Sequence, residues 1–155
     1  MKSLIIYYSR DGNTKKVAEK LAEKINADIE EITEQKSRGG PIGWLKSGAE
    51  SARGIIPEID AVKSDVSSYD LVVVGSPVWA NTISSPLRAF LVKHGADIKD
   101  IASFLTMGGE PNETPLTEIN DRSGLTPRAS VVLRTSAIKN GSYLSELDVF
   151  AGKLV

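Results

Sequence analysis

Lys2-Ser3-Leu4-Ile5-Ile6-Tyr7-Tyr8-Ser9-Arg10-Asp11-Gly12-Asn13-Thr14 is the stretch on which the fold turns. Leu4 to Tyr8 is a short apolar run, partly β-branched, and predicts a buried strand. From about Thr14 a helical pattern follows, with Val17, Ala18, Leu21, Ala22 and Ile25 on one face and Lys15, Lys16, Glu19, Lys20, Glu23 and Lys24 on the other. Ser9-Arg10-Asp11-Gly12-Asn13-Thr14 connects the two with hydroxyls, an amide and one glycine.

That connection has the chemistry of an anion cradle. A helix N-terminus carries unpaired N–H groups and a partial positive charge, and an anion placed there satisfies both. Gly12 permits close approach of the backbone, and Ser9, Asn13 and Thr14 can donate to phosphate oxygens. An ordinary strand-to-helix turn, capped by Asp11 or Asn13, accounts for the same residues. The loop is neither a Walker loop, since no Lys-Ser/Thr pair follows the glycine, nor a Gly-x-Gly-x-x-Gly turn.

Composition narrows the choices. The 155 residues suit one domain, 1–155, with a sizeable core. The net charge of -1 gives no general electrostatic case for nucleic acid or a membrane surface. Cysteine is absent, which rules out disulfides, thiolate nucleophiles and cysteine-held metals. His94, the one histidine, falls at the end of a predicted helix, so a cap or surface role is expected and neither a Ser-His-Asp triad nor a multi-histidine metal site is. With a strand starting next to Met1 and no apolar leader or span, a cytoplasmic protein without membrane insertion is expected.

Further along, Ala27–Ile32 reads as a strand whose Asp28, Glu30 and Glu31 suit a sheet edge. Residues 34–57 form a long connection with a weak helical pattern near Trp44–Ala52 and a basic bias from Lys36, Arg38, Lys46 and Arg53, read as a solvated crossover; Trp44 could cover a ligand or partner instead. Leu71–Gly75 lacks alternation and so predicts a strand buried on both faces. Ser85 and Pro86 start a helix that Gly95 stops. Ile101–Met107 is a strand, Thr114-Pro115 opens a short helix ending near Gly124, and Ser130–Leu133 is the last strand. Ser142 caps a final helix bearing Leu144, Leu147, Phe150, Ala151 and Leu154.

Alternation of strands and helices predicts an α/β fold with a parallel sheet covered on both faces. In such sheets ligands bind beyond the carboxyl ends of the strands, at the switch point. Three unusual loops fall there: Ser9–Thr14, Ser76–Thr82 and Thr106–Glu110.

These residues resemble the flavodoxin family. Ser9-x-x-Gly12-Asn13-Thr14 is similar to that family's FMN phosphate loop, Gly75-Ser76-Pro77-Val78-Trp79 to its second flavin loop, and Thr106-Met107-Gly108-Gly109 to its third. The resemblance runs in order along essentially the whole chain, and the uninterrupted Ser130–Leu133 matches the short-chain form. It implies a flavodoxin-like three-layer sandwich with a five-stranded parallel sheet in the order 2-1-3-4-5, for which flavodoxin is the type example. It implies FMN as cofactor, held by Ser9, Arg10, Asp11, Gly12, Asn13 and Thr14, by Pro77, Val78, Trp79, Ala80, Asn81 and Thr82, and by Thr106, Met107, Gly108, Gly109 and Glu110. Trp79 would stack on the flavin, and the backbone of Thr106–Glu110 would meet its pyrimidine edge.

Three features depart from the family pattern. Asp11 stands where a phosphate-binding hydroxyl is usual, and must turn outward or pair with Arg10 or Lys15. Gly108–Pro111 has no second aromatic, where many flavodoxins carry a tyrosine. The near balance of 19 basic and 20 acidic residues lacks the strong acidity of electron-shuttling members. The resemblance implies an electron-transfer protein with no catalytic acid or base, serving a redox partner protein or a small electron acceptor. An FMN-dependent NAD(P)H:quinone-type reductase is the alternative. A phosphoacceptor receiver domain would need an aspartate at the end of the third strand, where Gly75-Ser76 stands.

Overall fold

The computed structural model describes residues 1–110 and 112–155. Five strands run parallel: β1 (Ser3–Tyr7), β2 (Asp28–Glu31), β3 (Leu71–Trp79), β5 (Ile101–Met107) and β6 (Ser130–Arg134). A two-residue strand, β4 (Thr82–Ile83), folds back antiparallel on the end of β3. The order is β2-β1-β3-β5-β6, with β4 off the path beside β3. The expected 2-1-3-4-5 therefore holds for the parallel strands, and the numbering shifts because β4 was not anticipated.

β1 is central, paired through Ile5 to Ile29 of β2 and to Val73 of β3. Alternate residues point to opposite faces, and both faces are covered. Ile5, Tyr7, Val73 and Phe104 pack with α1 (Asn13–Ile25) and α6 (Tyr143–Gly152). Leu4, Ile6, Val72, Val74 and Leu105 pack with α3 (Ser85–His94) and with Ile119 of α4 (Thr114–Ser123). Gly75 is required by the second of these strands' neighbours: a Cβ on it would lie 2.1 Å from Cζ of Phe104, its partner on β5. The charged edge is as expected, since among the described residues β2 pairs with β1 alone, and the carboxylate of Glu30 accepts from the N–H groups of Lys63 (2.6 Å) and Ser64 (2.9 Å).

Several boundaries differ from the sequence reading. β3 runs four residues past Gly75 because the ladder continues through Ser76↔Leu105 and Pro77↔Thr106 before the hairpin to β4. The N-cap of α1 is Gly12, at φ 92°, and neither Asp11 nor Asn13 caps it. Ser84, not Ser85, is the N-cap of α3, its hydroxyl accepting from Ser76 Oγ at 2.8 Å. A short α5 (Thr135–Asn140), anchored by Ile138, was not legible in so short a segment. In α6 Tyr143 is buried and Leu144 is exposed, and Ser142 makes no side-chain cap bond. His94 ends α3, its ring 5.3 Å from that of Phe90. The long connection folds as α2 (Gly40–Ala52), starting four residues earlier than Trp44. Among the described residues no helix is long and apolar enough to cross a membrane.

Candidate functional site

The three loops meet beyond the carboxyl ends of β1, β3 and β5. Together they line a cavity of about 160 Å3, bounded by Arg10, Asp11, Asn13 and Thr14, by Pro77, Val78 and Trp79, and by Thr106, Met107 and Gly108. Trp44 of α2 and Thr135 of α5 complete the wall. Thr14 and Thr106 tie the first and third loops together through a buried hydroxyl pair at 2.8 Å.

The first loop is built to present donors. The hydroxyl of Ser9 accepts from the N–H groups of Gly12 (3.2 Å) and Lys15 (3.1 Å), so its own proton is left to donate. Among the described residues no acceptor meets the N–H groups of Asn13 and Thr14, the orphans expected in a first helical turn. Gly12 closes the turn in the left-handed region, where a Cβ would strain it. Asp11 is drawn aside: Arg10 Nη1 donates to its Oδ1 at 2.8 Å, while Lys15 reaches Glu31 instead. Arg10 also donates from Nε to the carbonyl of Arg38 and from Nη2 to that of Gly40, both at 2.9 Å.

In the second loop, half-buried Trp79 and Tyr8 meet edge to face with ring centroids 5.5 Å apart, and the guanidinium of Arg38 lies 5.3 Å from the Trp79 ring. Arg38 is not on a solvated crossover, as its neighbours in sequence suggested. It is 8% exposed and bound to both carboxylate oxygens of Glu34 (2.7 and 2.9 Å), to Glu50 (2.6 Å) and to Ser47 (3.2 Å). Burial works against its charge, but Glu34 and Glu50 more than restore it, so a fixed cation lies against Trp79. Burial, aided by Glu34, pushes the Tyr8 hydroxyl up to about 12. Ala80 and Asn81 take φ of 50° and 61° and, with Trp79 paired to Thr82, make the two-residue hairpin turn of type I′.

The remaining candidates lie apart from the cavity wall. Ser9 and Gly12 shape the first loop, Asn81 is bonded to Asn112 at 3.3 Å, and Thr82 Oγ1 turns back to donate to the Trp79 carbonyl at 2.9 Å. Gly109 and Glu110 are exposed, the latter paired with Arg134 at 2.7 Å. Gly108 to Glu110 carry no aromatic; Pro111, the last position of that expectation, lies outside the described residues. Thr135 went unnoticed, although its place directly after β6 is a signal of the same kind as those that marked the other loops.

Comparison with known proteins agrees with this architecture. The family model described as Flavodoxin matches residues 2–147. A flavoprotein of Lactobacillus acidophilus NCFM, solved in complex with FMN, superposes with a TM-score of 0.74 at 26% identity, over 95% of this chain and 98% of that one. Its apo form in solution gives 0.62 at 27% identity, over 89% and 95%. The two-electron reduced flavodoxin of Megasphaera elsdenii gives 0.63 at 19% identity, over 97% and 98%, a likeness of fold. No curated protein sequence matches the chain.

Proposed function

Because this chain belongs to the flavodoxin family, we propose that it holds FMN without a covalent bond and transfers electrons through it. The observation that carries this is the meeting of unpaired donors and an aromatic face in one cavity: the N–H groups of Asn13 and Thr14 on one side, Trp79 on the other. The donor set suits the group. A phosphate would take the orphan N–H groups and the Asn13 amide, with Ser9 shaping the loop and Asp11 held aside by Arg10. Trp79 would bear on the ring, and the backbone of Thr106 to Gly108 on its polar edge. The flavin supplies the redox chemistry; the chain binds, orients and tunes it. A redox partner protein or a small acceptor would receive the electrons.

The test is protein incubated with FMN and freed of unbound flavin. A retained yellow absorbance with quenched tryptophan emission is expected, and a colourless protein would overturn the reading. Steady NADPH oxidation with a quinone by the pure loaded protein would make it a reductase; no turnover without an added reductase favours the carrier.

The phosphate assignment has a sharper test in Asn13 than in Thr14, whose hydroxyl is already engaged with Thr106. Asn13→Ala should weaken FMN binding about tenfold more than riboflavin binding, the scale of one hydrogen bond to a charged group. Calorimetric titrations showing equal losses for both ligands would mean that the loop does not serve the phosphate.

Ala80 should tune the first one-electron potential, because a reversed 80–81 peptide would aim its carbonyl at the bound flavin and accept a hydrogen bond from its reduced form. In a type I′ turn, reversing the 80–81 peptide to aim its carbonyl elsewhere carries the residue at position 80 to positive φ with ψ near about −120°, a region dominated by glycine. Ala80, at φ 50°, resists the move into that sparsely populated region by about 1–2 kcal/mol, or about 40–85 mV for one electron. Ala80→Gly should therefore raise the first potential by up to that amount, read by spectroelectrochemical titration at pH 7. An unchanged or lowered value would refute the role.

A further inference from the structure

The cavity enclosed by the three loops is about 160 Å3, roughly half of the ~300 Å3 at which ligand pockets begin. Beside it lies an apolar recess of about 420 Å3, where Trp44, Leu45 and Ala49 of α2 face Val78, Trp79 and Ala80. Trp44, Val78 and Trp79 wall both spaces. A three-ring ligand that begins at the loops finds further apolar wall by continuing between the two tryptophans.

We propose that Trp44 is a binding residue for the flavin ring, the second aromatic wall of the site, supplied by α2 in place of the aromatic that Gly108–Glu110 lacks. This rests on the FMN reading given above. Trp44 is 63% exposed, as is Leu45, an apolar surface that gains by being covered. Its position is held from beneath. Gly43 sits so close to Arg38 that a Cβ on it would lie 2.2 Å from that carbonyl oxygen, and the same carbonyl accepts from Arg10 of the first loop. The segment carrying Trp44 is thus fixed against the loop that would hold the phosphate, and not left to swing as a solvated connection.

The experiment is a paired titration with FMN and riboflavin of the parent protein, Trp44→Ala and Trp44→Phe, followed by quenching of flavin fluorescence. Contact with the ring and not with the phosphate predicts that Trp44→Ala weakens both ligands by the same factor, about tenfold. Trp44→Phe should keep most of the affinity, because it keeps an aromatic face. Trp44 is exposed, so all three proteins should share one far-ultraviolet circular dichroism spectrum and one melting temperature without ligand. A parent that binds FMN and a Trp44→Ala protein that binds it equally tightly would overturn this inference alone. A loss of FMN affinity without loss of riboflavin affinity would also overturn it. A parent that binds no FMN would overturn both this inference and the proposed function.

Discussion

An Arg88→Ala protein should unfold with about 3–5 kcal/mol less free energy than the parent, the cost of breaking a buried ion pair by removing one partner. Arg88 is 1% exposed. Its Nε and Nη2 donate to both carboxylate oxygens of Glu118 (2.7 and 3.0 Å), and its remaining donors reach the carbonyls of Ser51 (3.1 Å) and Ile55 (3.2 Å). One side chain thereby joins α3 to α4 and to the end of α2. Its loss leaves Glu118 with Arg122 alone and the Ile55 carbonyl without its donor, while the Ser51 carbonyl keeps the N–H of Gly54. Urea denaturation should show a lower midpoint with an unchanged slope; a loss under about 1 kcal/mol would refute the assignment. The pH dependence is a second check. Burial raises the Glu118 carboxyl, but its bonds to Arg88 and Arg122 outweigh this and hold it below the ordinary carboxylate value. A carboxyl so lowered stabilises fully above its unfolded value, and that contribution is lost as pH falls through the folded one. The acid side of the stability curve should therefore be shallower in Arg88→Ala.

Trp79→Ala should weaken FMN binding by about 1–3 kcal/mol, the worth of burying a large aromatic face together with its stacking geometry. The ring is braced by Tyr8 in an edge-to-face pair and by Arg38, so it meets a ligand without first having to be ordered. Trp79→Phe should recover part of the loss. Fluorescence titration giving equal affinities for parent and Trp79→Ala would remove Trp79 from the site.

The sheet was legible because its central strands are uninterrupted apolar runs: Leu4–Tyr8, Leu71–Gly75 and Ile101–Met107 leave no polar face and so demand cover on both sides. The first loop was legible because strand, glycine and helix follow at short spacing. The hairpin at Ala80-Asn81 was not, since its turn lacks the Asn-Gly or Asp-Gly pair that announces type I′. Arg38 was misread for a different reason. Its partners Glu34 and Glu50 lie on either side of a glycine-rich bend, and only the packing of α2 through Gly43 brings the three charges together. A local charge count sees four basic residues and two acidic ones there, and nothing that says which of them meet.

Arg10 makes the first loop and the start of α2 one thermodynamic unit, because the same guanidinium holds Asp11 and the carbonyls of Arg38 and Gly40. Coupling of this kind is reciprocal. Ordering the loop with an anion slows amide hydrogen exchange in the first turns of α2, and steadying α2 tightens the loop's hold on the anion by the same factor. A partner that settles on exposed Ile42 and Leu45 can therefore change the retention of a ligand it never touches.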